Sequence, residues 1–93
     1  MKITPKNILQ HELIGLEVEV KKSTNIYQVG IKGIVINETM KMLIIKTSKG
    51  RKRIPKEGRT FLFILPSGEK VLVDGNALLG RPEDRLKRTT RRW

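Results

Sequence analysis

The stretch from Tyr27 to Thr47 limits the fold of this chain more than any other. Ile31, Ile34, Val35, Ile36, Ile44 and Ile45 are β-branched, which suits a pleated surface, and the apolar positions follow no 3.6-residue helical period. The pattern predicts two β-strands joined by a short polar turn at Asn37–Lys41. Gly30 and Gly33 interrupt the first strand. Glycine weakens a strand interior, so a pair of them predicts a bulge or a sharp bend. A long strand bent in its middle can serve both halves of a small closed barrel. The alternative is an ordinary hairpin with two incidental glycines.

The flanking segments agree with a small β-domain. Leu16 to Lys22 alternates, with Leu16, Val18 and Val20 inward and Glu17, Glu19 and Lys21 outward. Ser48 to Arg59 reads as a basic loop with room for a short strand at Arg51–Ile54, which Pro55 would keep short or at an edge. Phe61–Leu65, a turn at Pro66-Ser67-Gly68 and Val71–Val73 predict a hairpin. At the start, Thr4 as cap, Pro5 at the first helical position and Gly15 as terminator predict a helix over about residues 4–14. Its apolar stripe would be Ile8, Leu9, Leu13 and Ile14. Towards the end, Asn76 can cap a turn through Leu79, and Pro82 opens a segment with Glu83 and Asp84 first and Lys87 and Arg88 last, the order a helix dipole favours. The expectation is a mainly β chain of 93 residues in one domain. Its parts would be a strongly bent antiparallel barrel of five or six strands over about 16–74, short terminal helices (4–14 and 76–88) and a basic tail at 89–93.

Charge narrows the function. The chain carries +11. Lys41–Arg59 holds eight basic residues and one acid, a net of +7, and Arg81–Trp93 holds six and two, a net of +4, so the remaining residues balance to zero. Two blocks of one sign point to a polyanion, nucleic acid being the commonest. Thermophilic surfaces raise Lys and Glu together, whereas the acids here do not keep pace. The candidate nucleic-acid-binding cations are Lys46, Lys49, Arg51, Lys52, Arg53, Lys56 and Arg59 in the first block and Arg81, Arg85, Lys87, Arg88, Arg91 and Arg92 in the second. Aromatic residues are few, and Phe61 and Phe63 read as core. That leaves Trp93 as the one candidate base stacker, with a disordered tail as the preferred alternative, and favours contacts to the backbone of folded nucleic acid.

Nothing in the sequence assembles a catalytic site. The nine acids are scattered, His11 is the single histidine, and there is no cysteine for a thiolate metal site. No apolar run approaches the ~20 residues of a membrane span, and Met1-Lys-Ile-Thr-Pro5 has no signal-peptide pattern. The expectation is a cytoplasmic chain that binds no cofactor of its own. Phe61–Leu65 and Ile34–Ile36 are apolar at both parities, which predicts a protein interface beside the anionic one.

Taken in order, His11–Leu16, the Gly30–Thr39 strand and turn, Phe61–Leu65, Val71–Gly75 and Arg81–Arg85 resemble the Sm-like protein subunit of archaeal ribonuclease P, the counterpart of the eukaryotic Pop-four subunit. The resemblance spans about residues 3–88. It implies an Sm-like barrel in the particle that removes 5′ leaders from precursor tRNA, with RNA as catalyst and magnesium as the RNA's metal. It also implies a heterodimer with a zinc-ribbon protein subunit, seated on the specificity domain of the ribonuclease P RNA alongside other ribonuclease P proteins, with precursor tRNA met indirectly. Ile8, Leu9, Leu13 and Ile14 are then the expected protein-docking stripe. A general RNA-binding or ribosome-associated Sm-like barrel is the alternative, and a metal-dependent nuclease acting alone a third reading.

Overall fold

In a computed structural model that describes residues 3–4 and 7–80, six antiparallel strands form one sheet. They are β1 (Glu17–Lys22), β2 (Lys32–Glu38), β3 (Met42–Thr47), β4 (Gly50–Pro55), β5 (Thr60–Ile64) and β6 (Lys70–Asp74). The order across the sheet is β4-β3-β2-β1-β5-β6. The chain is therefore mainly β, as its alternation predicts.

The bend predicted at the glycines lies in β2. Its first residues, Lys32–Ile34, pair with β1, and Ile34–Glu38 pair with β3, with a register shift between Val35 and Asn37. Gly33 stands where the two ladders meet. A Cβ there would collide with the carbonyl oxygen of Lys46, so only glycine lets the two backbones approach this closely. Gly30 serves differently: at φ +92° it turns the chain into β2. The strand begins later than Tyr27, which lies on a 3-10 turn at Ile26–Gln28.

Alternation builds the core. Val18, Val20, Val35, Leu43, Ile45, Ile54, Phe61, Phe63, Leu65 and Val73 project to the concave side and form one buried cluster with Ile8, Leu13, Leu16 and Leu78. The Phe61 and Phe63 rings stack at a tilt, centroids 6.2 Å apart.

Three expectations need correction. The Thr4–Ile14 segment is no α-helix among the described residues; it makes a 3-10 turn at Ile8–Gln10 and then extends. Ile8 and Leu13 are both core, yet five residues apart on an α-helix they would point roughly 140° from one another. Burying both demands a non-helical path, which empties the proposed docking stripe of two members and leaves Leu9 and Ile14 exposed. After β6, the capping residue is Asp74 rather than Asn76, its carboxylate accepting from Asn76 N at 2.9 Å over a 3-10 turn at Gly75–Leu78. The expected helix over 82–88 and the tail at 89–93 lie outside the described residues. Finally, the closed Sm-like barrel is not formed by backbone pairing: β4 and β6 are the two free edges of an open sheet.

A side chain bridges that opening. Lys56, directly after β4, is fully buried, which removes it from the RNA-binding cations. Its ammonium donates to Glu38 Oε2 at 2.7 Å, Leu78 O at 2.8 Å and Gly80 O at 2.9 Å, matching the three donors an ammonium has. Glu38 ends β2, while Leu78 and Gly80 come after β6. Backbone bonds converge on the same place: Lys56 N donates to Lys41 O at 2.8 Å and Gly80 N to Met40 O at 2.9 Å. Gly75 completes the fit, because a Cβ there would strike the Lys56 carbonyl.

Lys56→Met removes an ammonium from beside a buried carboxylate and should cost about 3–5 kcal/mol of unfolding free energy, read by urea denaturation. Adding Glu38→Gln should restore part of that loss. A Lys56→Met chain as stable as wild type would show that the clasp does not hold the sheet. Gly33→Ala should also destabilise, because backbone rather than a movable side chain blocks the new methyl.

Candidate nucleic-acid interface

In the basic segment after Thr47, the short strand expected at Arg51–Ile54 is present and runs slightly longer, as β4 at Gly50–Pro55. Ser48 and Lys49 form the turn between β3 and β4, with Thr47 opposite Gly50. Thr47 fastens it: its hydroxyl donates to Gly50 O at 2.8 Å and accepts from Lys49 N at 3.1 Å, while Gly50 takes φ +113°. This tight turn fixes the register, and register decides which cations share a face.

Lys46 lies opposite Arg51, Ile44 opposite Arg53 and Met42 opposite Pro55. Leu43 and Ile45 face the core, so Met42, Ile44 and Lys46 face outward. Lys46, Arg51 and Arg53 thus line one shallow groove with Ile36, Asn37, Thr39, Met42 and Ile44. The apolar residues make its floor and the cations its wall. Among the described residues the ion pairs are Lys21–Glu19 and Lys56–Glu38, so Lys46, Arg51 and Arg53 have no carboxylate within pairing distance. Two guanidinium forks and an ammonium held this way can bind phosphate oxygens, the forks by paired N–H bonds.

The other expected cations separate. Lys49 sits exposed at the hairpin turn, and Lys52 is exposed but stands opposite Ile45, so it points away from the groove. Arg59 is half-buried, donating from Nε to Gln28 Oε1 at 3.0 Å and from Nη1 to Glu57 O at 2.8 Å. Lys56 is the buried clasp. Arg81, Arg85, Lys87, Arg88, Arg91 and Arg92 lie outside the described residues. The groove floor at Ile36, Met42 and Ile44 was missed from the sequence, although apolar residues at both parities of Met42–Ile45 were its signal.

The outer face of the β1–β5–β6 half differs in character. Glu17 lies opposite Ile64, Glu19 opposite Leu62, and Leu62 opposite Leu72. Leu62 and Ile64 are half-buried, whereas Leu72 is 64% exposed. Apolar residues at both parities of Phe61–Leu65 therefore resolve into a core set and an outer set. Among the described residues, no group of three or more His, Cys, Asp and Glu side chains is placed to hold a metal ion, and no helix is long and apolar enough to cross a membrane.

Comparison with known proteins gives these surfaces their setting. The family model described as ribonuclease P/MRP, subunit p29, matches residues 6–88. The chain is 54% identical over 94 residues to ribonuclease P protein component 1 of Thermofilum pendens, covering the whole of both chains. It is 51% identical over 86 residues to the protein of the same name from Methanosphaera stadtmanae, covering 92% of each. A solved structure described as that of Mth11, a homologue of the human RNase P protein Rpp29, is 43% identical with a TM-score of 0.60 and covers 81% of this chain and 97% of its own. A match over nearly the full length, joined to relatives with half of their residues identical, shows that the chain belongs to the ribonuclease P/MRP p29 family.

Proposed function

We propose that this chain is a non-catalytic RNA-binding subunit of ribonuclease P, supporting the catalytic RNA as it removes 5′ leaders from precursor tRNA. The observation that carries the reading is the row of Lys46, Arg51 and Arg53, unpaired with any described acid and set on an apolar floor, in a member of this family. Such a surface binds a polyanion without cutting it. Magnesium in this reading belongs to the RNA, where it stabilises the displacement at phosphorus. Contact is with the backbone of folded RNA: the groove presents donors for phosphate and apolar surface for ribose, while the cations outside it add steering at longer range.

The protein partner in this reading is a zinc-ribbon ribonuclease P subunit, with other ribonuclease P proteins nearby and precursor tRNA met indirectly. Of the expected docking stripe, Leu9 and Ile14 are exposed, whereas Ile8 and Leu13 are buried in the core. The particle works in the cytoplasm.

Changing Lys46, Arg51 and Arg53 together to alanine should lower the slope of log K against log salt for the ribonuclease P RNA by roughly 2 to 3, with the fold intact. An unchanged slope would place the RNA elsewhere. In a cleavage assay on precursor tRNA, the protein alone should be inactive. Added to the RNA and sister subunits it should permit cleavage at reduced magnesium, and the triple variant should do so less well. Equal stimulation of unrelated RNA enzymes would favour a general RNA-binding role instead.

A further inference from the structure

The connection between β1 and β2 presents a cluster that neither the core nor the cationic groove uses. Its 3-10 turn at Ile26–Gln28 has no buried residue. Tyr27 is 90% exposed and Ile26 75%, and Val29 is exposed beside them. A loose loop could fold such side chains back onto the sheet, but this one is held outward. Asn25 Oδ1 accepts from Tyr27 N at 3.0 Å, and Ser23 Oγ accepts from Asn25 N at 3.0 Å while donating to Gln28 Oε1 at 2.9 Å. Gly30 N then ties the end of the turn to Val20 O at 2.8 Å.

Cations flank it in the sequence. Lys21–Lys32 contains three lysines and no acid. Arg59 is fastened to the turn itself through its Nε bond to Gln28, the residue after Tyr27, and its Nη1 bond to Glu57 O. Those two bonds leave further guanidinium donors for a ligand. A protein partner would suit Ile26 and Val29, but a net-positive setting, in which Lys21 is paired with Glu19 and Lys22 and Lys32 pair with no described acid, favours a polyanion beside the anchored guanidinium. An exposed aromatic ring on a backbone pinned one residue from such a donor is suited to grip an unpaired nucleotide, base against ring and phosphate against arginine.

Resting on the RNA-subunit reading above, we propose that Tyr27 is a stacking platform for an unpaired base of the RNA, flanked by Ile26 and Val29, with Arg59 meeting the neighbouring phosphate. This site reads a single-stranded nucleotide, which the β3–β4 groove does not do. It also changes the expectation that Trp93 is the chain's candidate stacker.

The test compares the full chain with its Tyr27→Phe, Tyr27→Leu and Tyr27→Ala variants, binding each to the ribonuclease P RNA by fluorescence anisotropy and chemically probing the RNA. Phe should bind within about two-fold of wild type, while Leu and Ala should lose about five- to 100-fold. The salt slope should not change, and one unpaired nucleotide should lose protection. If Leu binds as well as wild type, stacking is refuted. If all four chains bind the RNA equally and the Ala variant instead binds sister protein subunits more weakly, the turn is a protein contact. In both cases RNA binding by the chain would stand and only the role of Tyr27 would fall. A wild-type chain that fails to bind the RNA would overturn the RNA reading of the cationic groove as well.

Discussion

One ammonium group holds the two ends of this sheet together. Six strands that do not close by backbone pairing leave two edges, β4 and β6. Lys56 anchors the chain just beyond both edges to the end of β2, through Glu38, Leu78 O and Gly80 O. Removing a lysine and a glutamate from water is expensive, and their attraction offsets that cost only when the remaining donors are also satisfied. Here the three shortest bonds use all three ammonium protons. A well-packed apolar pair could be as stabilising, but it would not fix direction. Three bonds converging on one nitrogen specify where β4 ends and where the chain after β6 must run.

The second constraint is steric, and it decides which side chains share a surface. Gly33 lets β2 cross the β3 backbone at contact distance, so β2 can leave its ladder with β1 and join the one with β3. The outer surface is thereby divided into two halves along one strand. The β3–β4 half carries Lys46, Arg51 and Arg53, while the β1–β5 half carries Glu17 and Glu19 among Leu62, Ile64 and Leu72. A Debye length of about 8 Å at physiological salt is short against a domain of this size, so the halves do not average into one field. An anionic ligand is drawn to the first half, whereas the second, with Glu19 paired to Lys21 and Lys70 opposite Ile64, offers no comparable net positive charge.

Much of this was legible in the sequence, and the failures share a cause. Period-two alternation placed β1 because burial on one face writes itself into residue type, and two short apolar runs around the Pro66–Gly68 turn placed the β5–β6 hairpin. Gly33 announced the bend, and Pro55 the edge position of β4. Lys56 could not be told from Lys49 or Lys52, because sequence records a charge and not its surroundings; its partners lie 18, 22 and 24 residues away. The cap signals around Thr4 promised a helix, yet tertiary burial of Ile8 and Leu13 overrode them. Gly50–Arg53 is exposed throughout, so β4 shows no alternation to read. Tyr27 looked like a strand residue until the glycine at position 30 placed the start of β2 after it.

The cations of β4 answer a question about the sheet as well as one about RNA. An edge strand exposes a row of unpaired N–H and C=O groups, which invites pairing with another chain. Arg51, Lys52 and Arg53 line that edge, and a second copy approaching it would bring the same charges and be repelled. A phosphate backbone meets the opposite sign. Arg51 and Arg53, which also line the groove, therefore both discourage self-association and recruit a polyanion, and no carboxylate among the described residues pairs with them. Among the described residues, the acids of the outer face stand on β1, two strands away from β3, which sets them apart from this cationic edge.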